Sequence, residues 1–185
     1  IIMPFHSNTS QNTVIYSSPT WETKVIENDI TLGDTISETA GIIEPFNIAL
    51  GKYERIIGEV NLFYSSDNNN EFQFRFQNVD SANAYVDTTF KYSFIGFLKE
   101  IAEGAAAETT HALEGGVAVD TTTGQGTEIH LDAGDNNSPL SATIKFSALG
   151  GEGKNGTVSF QASNISAQTG AAVILAGSWL TYKRF

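Results

Sequence analysis

Glu71-Phe72-Gln73-Phe74-Arg75-Phe76-Gln77 decides the fold class. Three phenylalanines alternate with four polar residues, and a period of two places the rings on one face and the polar groups on the other. This pattern predicts a half-buried antiparallel strand with Phe72, Phe74 and Phe76 inward and Gln73 and Arg75 facing water or a neighbour. The same period recurs in Ala142-Thr143-Ile144-Lys145-Phe146 and in Thr157-Val158-Ser159-Phe160-Gln161-Ala162, with the turn-rich Gly150 to Gly156 between them. Further strands are expected at Thr13 to Ser17, Trp21 to Glu27, Phe46 to Leu50, Glu54 to Ser65, Tyr85 to Asp87, Phe90 to Phe97, Gly116 to Asp120, Thr127 to Leu131 and Ala172 to Tyr182. The last of these closes the chain on apolar, aromatic and basic residues, which makes it core and not tail.

Only Leu98 to Ala107 has helical composition, and because Gly104 interrupts it the segment reads equally as a helix or as one turn and a loop. Many short strands with almost no helix give an all-β fold: two packed antiparallel sheets, a β-sandwich, with a jelly roll as the expected variant. The Ala, Thr and Gly-rich stretches Ala105 to Thr110 and Gly115 to Gly126 read as one long surface insertion. No composition shift divides the chain, so its 185 residues form one sandwich domain, 13–185, preceded by an arm, 1–12.

Charge and composition narrow the partners. Ten Lys and Arg stand against 21 Asp and Glu, a formal charge of −11. Phosphate binding needs a basic footprint, so nucleic acid is not an expected partner. No stretch approaches the roughly 18 apolar residues of a membrane helix, so no membrane span is expected. Cysteine is absent, which excludes disulfides and thiolate metal sites.

No catalytic or cofactor motif emerges. His6, His111 and His130 are scattered without the spacing of a metal site, and no GxSxG elbow positions a nucleophile, so neither an enzyme nor a cofactor is expected. Asp67 to Glu71 and Asp132 to Asn137 offer hard oxygen ligands but read more simply as Asx-rich turns. The aromatic residues fall mostly on inward strand registers; Trp21 and Tyr53, near strand starts, are the candidates for a surface role such as carbohydrate stacking.

Two features point to assembly. Ile56-Ile57, Leu62-Phe63-Tyr64 and Phe94 to Leu98 are apolar on both registers and cannot hide on one face of a strand. Either these strands lie between sheet and insertion or their second face meets a neighbouring subunit; the subunit is the preferred reading and predicts an interface at Ile56, Ile57, Phe94 and Phe97, in a homotrimer. The opening Ile1-Ile2-Met3-Pro4-Phe5 followed by a polar link has no strand periodicity and reads as an arm that orders against a partner through Ile2 and Phe5.

The chain resembles small β-sandwich proteins from the virions of tailed bacteriophages. Three places carry the likeness: Asn28-Asp29-Ile30-Thr31-Leu32-Gly33-Asp34; Tyr53 to Tyr64 with Glu71 to Phe76; and Gly156 to Ser163 with Val173-Ile174-Leu175-Ala176-Gly177-Ser178-Trp179-Leu180 before the basic Lys183-Arg184. The resemblance implies a virion structural protein on the outer capsid surface, a decoration or cement subunit whose partner is the major capsid protein. Its alternative is a tail-fibre or spike module that binds a receptor or carbohydrate. The matching positions are structural, so no functional residue is carried over.

Overall fold

A computed structural model describes residues 20–37, 39–66, 72–95, 97–98, 111–112, 115–118, 124, 126, 128–131, 139–164 and 172–185. The strands are β1 (Glu22–Val25), β2 (Ile30–Thr31), β3 (Ile48–Leu50), β4 (Arg55–Ser66), β5 (Phe72–Val79), β6 (Thr88–Ile95), β7 (Phe97–Leu98), β8 (His111–Ala112), β9 (Gly115–Ala118), β10 (Ile129–Leu131), β11 (Leu140–Gly150), β12 (Gly156–Asn164), β13 (Ala172–Ile174) and β14 (Trp179–Arg184). One 3-10 turn, Glu44–Phe46, precedes β3.

The strand pairing is nested. β1 pairs with β14, β3 with β12, β4 with β11 and β5 with β10, every pair antiparallel. A long hairpin wrapped on itself gives this pattern, with first against last and the two middle strands together, and it is the topology of a jelly roll. The pairs sort into a large sheet with the path β1-β14-β4-β11 and a small sheet with the order β10-β5-β12-β3. The expected jelly roll is therefore present. Of the stretch expected as a surface insertion, Gly115–Ala118 forms β9, which pairs with β6 and so extends the large sheet beyond β11.

Alternation places the core. Ile56, Val60, Leu62, Tyr64, Ile144, Phe146, Leu180 and Tyr182 of the large sheet face Phe74, Phe76, Val158 and Phe160 of the small sheet, all buried. Phe76 stacks on Phe146 at 4.7 Å and meets Phe160 and Tyr92 at 5.4 Å each, so one ring ties the two sheets together. Gly58 makes room for this packing, since a Cβ there would lie 2.5 Å from the Thr181 carbonyl and 2.7 Å from the Phe146 ring.

The closing segment is broken where a single strand was expected. β14 pairs with β4 at Ile56 to Asn61 and β13 pairs with it at Tyr64 to Ser66, both along one edge. Between them Leu175 to Ser178 form a turn, with Gly177 at φ +88°. The buried Ser178 hydroxyl accepts from the Phe63 N–H at 2.9 Å and donates to the Leu175 carbonyl at 2.8 Å. A side chain thus satisfies the ladder group that the break exposes.

Two further expectations need correction. Leu98 lies in β7 and not at the start of a helix, since its backbone pairs with His111; the rest of that candidate lies outside the described residues. The polar face of β5 is not wet. Arg75 is only 3 % exposed, and Gln77, Ser159, Gln161 and Ser163 are buried beside it. Arg75 donates from Nε to Gln161 at 2.9 Å and from Nη1 to Glu128 at 3.0 Å, and Gln161 donates in turn to the Ala40 carbonyl at 2.8 Å. The chain around Ser37 to Ile43 runs along β12 and covers this face, with Ile42 bridged to Gln161. Alternation reported polarity correctly, but a polar register that finds partners can be buried.

Candidate functional site

The outer face of the large sheet is the broadest surface formed by regular structure. Register aligns its outward residues in rows across the strands. Val25, Trp179, Asn61 and Thr143 form one row; Thr23, Thr181, Glu59, Lys145 and Ser93 the next; Lys183, Ile57, Ser147 and Lys91 a third; Arg55, Leu149 and Thr89 a fourth. Strands spaced at about 4.8 Å across the six-strand path span roughly 24 Å, and Arg55 to Phe63 rises roughly 27 Å, for a face of roughly 600 Å².

Large apolar side chains stand open on it. Trp21 is 54 % exposed and Phe63 43 %, and Val25, Leu149 and Phe185 are similarly open. Lys183 Nζ lies 5.1 Å from the centre of the Trp21 ring and 4.8 Å from that of Phe185, a cation held between two aromatic faces at one edge of the platform. The centre is polar: Asn61 donates to Glu59 at 2.7 Å and accepts from the Thr143 hydroxyl at 2.7 Å.

The charge of this face is opposite to that of the chain. Arg55, Lys91, Lys145 and Lys183 project from it, against Glu59 and, just before β6 beside Gly151, the exposed Asp87. Lys24, Arg75, Lys154 and Arg184 are used locally. Arg184, on the inner register, donates to Glu54 at 3.1 Å and to the Ala49 carbonyl at 2.7 Å. Burial lowers its guanidinium's pKa, but hydrogen bonds to Glu54 and Tyr182 outweigh this and hold it above the ordinary value. Tyr182 is raised, by burial first and then by its hydrogen bond to Glu22. Burial likewise raises Tyr92 at the sheet interface.

The expected interface residues separate. Ile57 lies on the open face, half-exposed in the Lys183 row. Ile56 does not: it points into the core and is fully buried by its own chain, because adjacent strand residues face opposite ways. Phe94 and Phe97 belong to β6 and β7, and their side chains lie outside the described residues. So do Ile2 and Phe5, the arm, the Thr13 to Ser17 strand, and both acidic turn segments. Trp21 and Tyr53 are surface residues as expected, Tyr53 at 65 % exposure with φ +55°. His130 is half-buried in β10. Among the described residues no group of three or more His, Asp or Glu could hold a metal ion. The cationic face was missed because its lysines and arginine are far apart in sequence; only the pairing of four strands gathers them.

No family model matches the chain, and no curated protein matches it. Among solved structures, it is similar to the infectious bursal disease virus Gx strain (8% identity, TM-score 0.24), covering 91% of this chain and 36% of that one. It is also similar to the VP2 subviral particle of that virus (10% identity, TM-score 0.20), covering 91% of this chain and 40% of that one. The chain spans less than half the length of either. At these TM-scores the likeness carries no argument, and the fold rests on the strand pairing itself.

Proposed function

We propose that this chain is a structural protein of a virion: a decoration or cement subunit that binds the outer surface of a capsid as a homotrimer, with the major capsid protein as its partner and no catalytic role. The observation that carries the reading is the open face of the large sheet, where Trp21, Val25, Phe63, Leu149 and Phe185 stand exposed on a rigid platform. Apolar exposure on this scale marks an interaction surface, and a jelly roll offers it without any moving part. The sequence resemblance to phage virion β-sandwich proteins supports the same reading, and Ile2 and Phe5 are its proposed anchors on the shell. The subunit would stabilise the head by mass action, since contacts made only in the assembled shell oppose its disruption.

Quantitative mass spectrometry of purified virions tests the proposal. A decoration subunit is present at a copy number comparable to that of the major capsid protein. A handful of copies per particle, or none, would contradict it.

The second reading is a carbohydrate-binding module of a tail fibre or spike. It rests on the Trp21, Lys183 and Phe185 cluster, where aromatic faces and a donor stand together as a sugar ring requires. Binding to host surface glycans that is lost in Trp21→Ala, combined with low copy number, would favour it.

A further inference from the structure

We propose that the outer face of the large sheet docks on the acidic flank of a second copy of this chain, so that subunits join head to tail. This rests on the virion reading and names the partner of the same face.

The two complementary surfaces are both present on one subunit. The face carries Arg55, Lys91, Lys145 and Lys183 against Glu59 and Asp87. The flank is the segment that follows β1 and leads to β3. It exposes Glu27, Asp29, Asp34 and Glu44, while Lys24, just before it, is held by its hydrogen bond to the Asn47 carbonyl at 2.6 Å. In a chain of formal charge −11 the cationic face is the exception, and every copy offers it an acidic surface. Opposite potentials across an interface steer encounter and suppress wrong pairings.

Charge also decides the symmetry. Pairing two copies face to face would set four cations against four at a face that has two carboxylates among the described residues, Glu59 and Asp87, and like charges placed together oppose association. Face against flank removes the conflict. That contact is heterologous, and a heterologous contact either closes into a ring, a trimer being the smallest beyond a pair, or continues as an array. The area is adequate, since roughly 600 Å² of flat face approaches the about 800 Å² per partner of a stable interface. The exposed Trp21, Phe63, Leu149 and Phe185 supply the apolar part that charge alone does not.

The experiment is sedimentation velocity on the full chain at 50 and 500 mM salt, with two charge-reversed variants. Lys145→Glu with Lys183→Glu reverses the face; Glu27→Lys with Glu44→Lys reverses the flank. Unchanged circular dichroism and urea midpoints establish that each variant folds. The wild type is expected to self-associate, more weakly at high salt, and each variant alone to lose at least about tenfold in affinity, since a 1.4 kcal/mol change is tenfold. Mixing the two variants should restore association, because each then meets its opposite charge.

A wild type that stays monomeric at 100 μM in low salt would overturn the proposal. So would self-association of the flank variant as tight as the wild type's, which would mean face-to-face pairing, or binding of an anionic polysaccharide to a monomer that the face variant abolishes. Virion copy number is read independently. A monomeric chain at high copy number refutes this contact and leaves the virion role standing, whereas an associating chain absent from virions does the reverse.

Discussion

Truncating Phe76 to alanine tests the packing that joins the two sheets. The ring is fully buried and touches partners on both sides: Phe160 of its own sheet, and Tyr92, Phe146 and Phe90 of the other, with the last at 6.3 Å. Removing a buried phenylalanine costs about 3–5 kcal/mol, and the cost rises where the cavity cannot collapse. Here the surrounding rings are carried on hydrogen-bonded strands of opposite sheets and cannot close the gap without moving a strand. Each lost aromatic pair is worth a further fraction of about 0.5–1.5 kcal/mol. The upper half of the range, about 4–5 kcal/mol, is therefore expected. Against a total stability of about 5–15 kcal/mol this leaves a marginal fold, with a melting temperature lowered by roughly 10 °C or more. Urea unfolding, followed by circular dichroism and by Trp21 and Trp179 fluorescence, measures it, with an unchanged m value showing that the denatured state is not responsible. Phe63→Ala, on the open face, should cost under about 1 kcal/mol. A loss below about 1.5 kcal/mol in Phe76→Ala would refute the inter-sheet role of this ring.

Ser178→Ala strands the Phe63 N–H at the break between β13 and β14, and should cost about 1–3 kcal/mol in the same assay; a neutral result would mean that water replaces the hydroxyl. Gly58→Ala forces the β4 and β14 backbones apart and should destabilise by more than about 1 kcal/mol, measured by thermal unfolding. Asp80 is held below its ordinary value of 3.8 by its hydrogen bond to Lys154 first, at 2.9 Å, and by the Ala84 and Ala82 N–H groups. A lowered carboxyl pKa stabilises the fold above the ordinary value, and this stabilisation is lost as pH falls through the lowered one. Lys154→Met should move the Asp80 midpoint upward in a carbon-13 NMR titration, and an unmoved midpoint would assign the shift to the backbone donors alone.

The jelly roll was legible because its central strands alternate cleanly. Phe74 and Phe76 in β5, Ile144 and Phe146 in β11, and Val158 and Phe160 in β12 could satisfy only an inward register. The doubly apolar Ile56-Ile57 also carried real information, but alternation divides such a pair: Ile56 fills the core and Ile57 is left on the face. The burial of Arg75 was not legible, because its partners Gln161 and Glu128 are 86 and 53 residues away and the covering segment belongs to neither strand. The break at Ala176-Gly177-Ser178 was hidden inside an apolar run, where only the glycine hinted that the backbone turns. The cationic face had no local signature at all, since Arg55, Lys91, Lys145 and Lys183 meet only through the order β14-β4-β11-β6.

Under the proposed virion role, cryo-electron microscopy of particles from the source is the most direct test of the central claim, that the open face of the large sheet is an assembly surface. The account predicts density for this jelly roll on the outside of the head, with Trp21, Ile57, Lys145 and Lys183 buried against a neighbouring copy. A particle in which the sandwich is present but this face looks into solvent would contradict it.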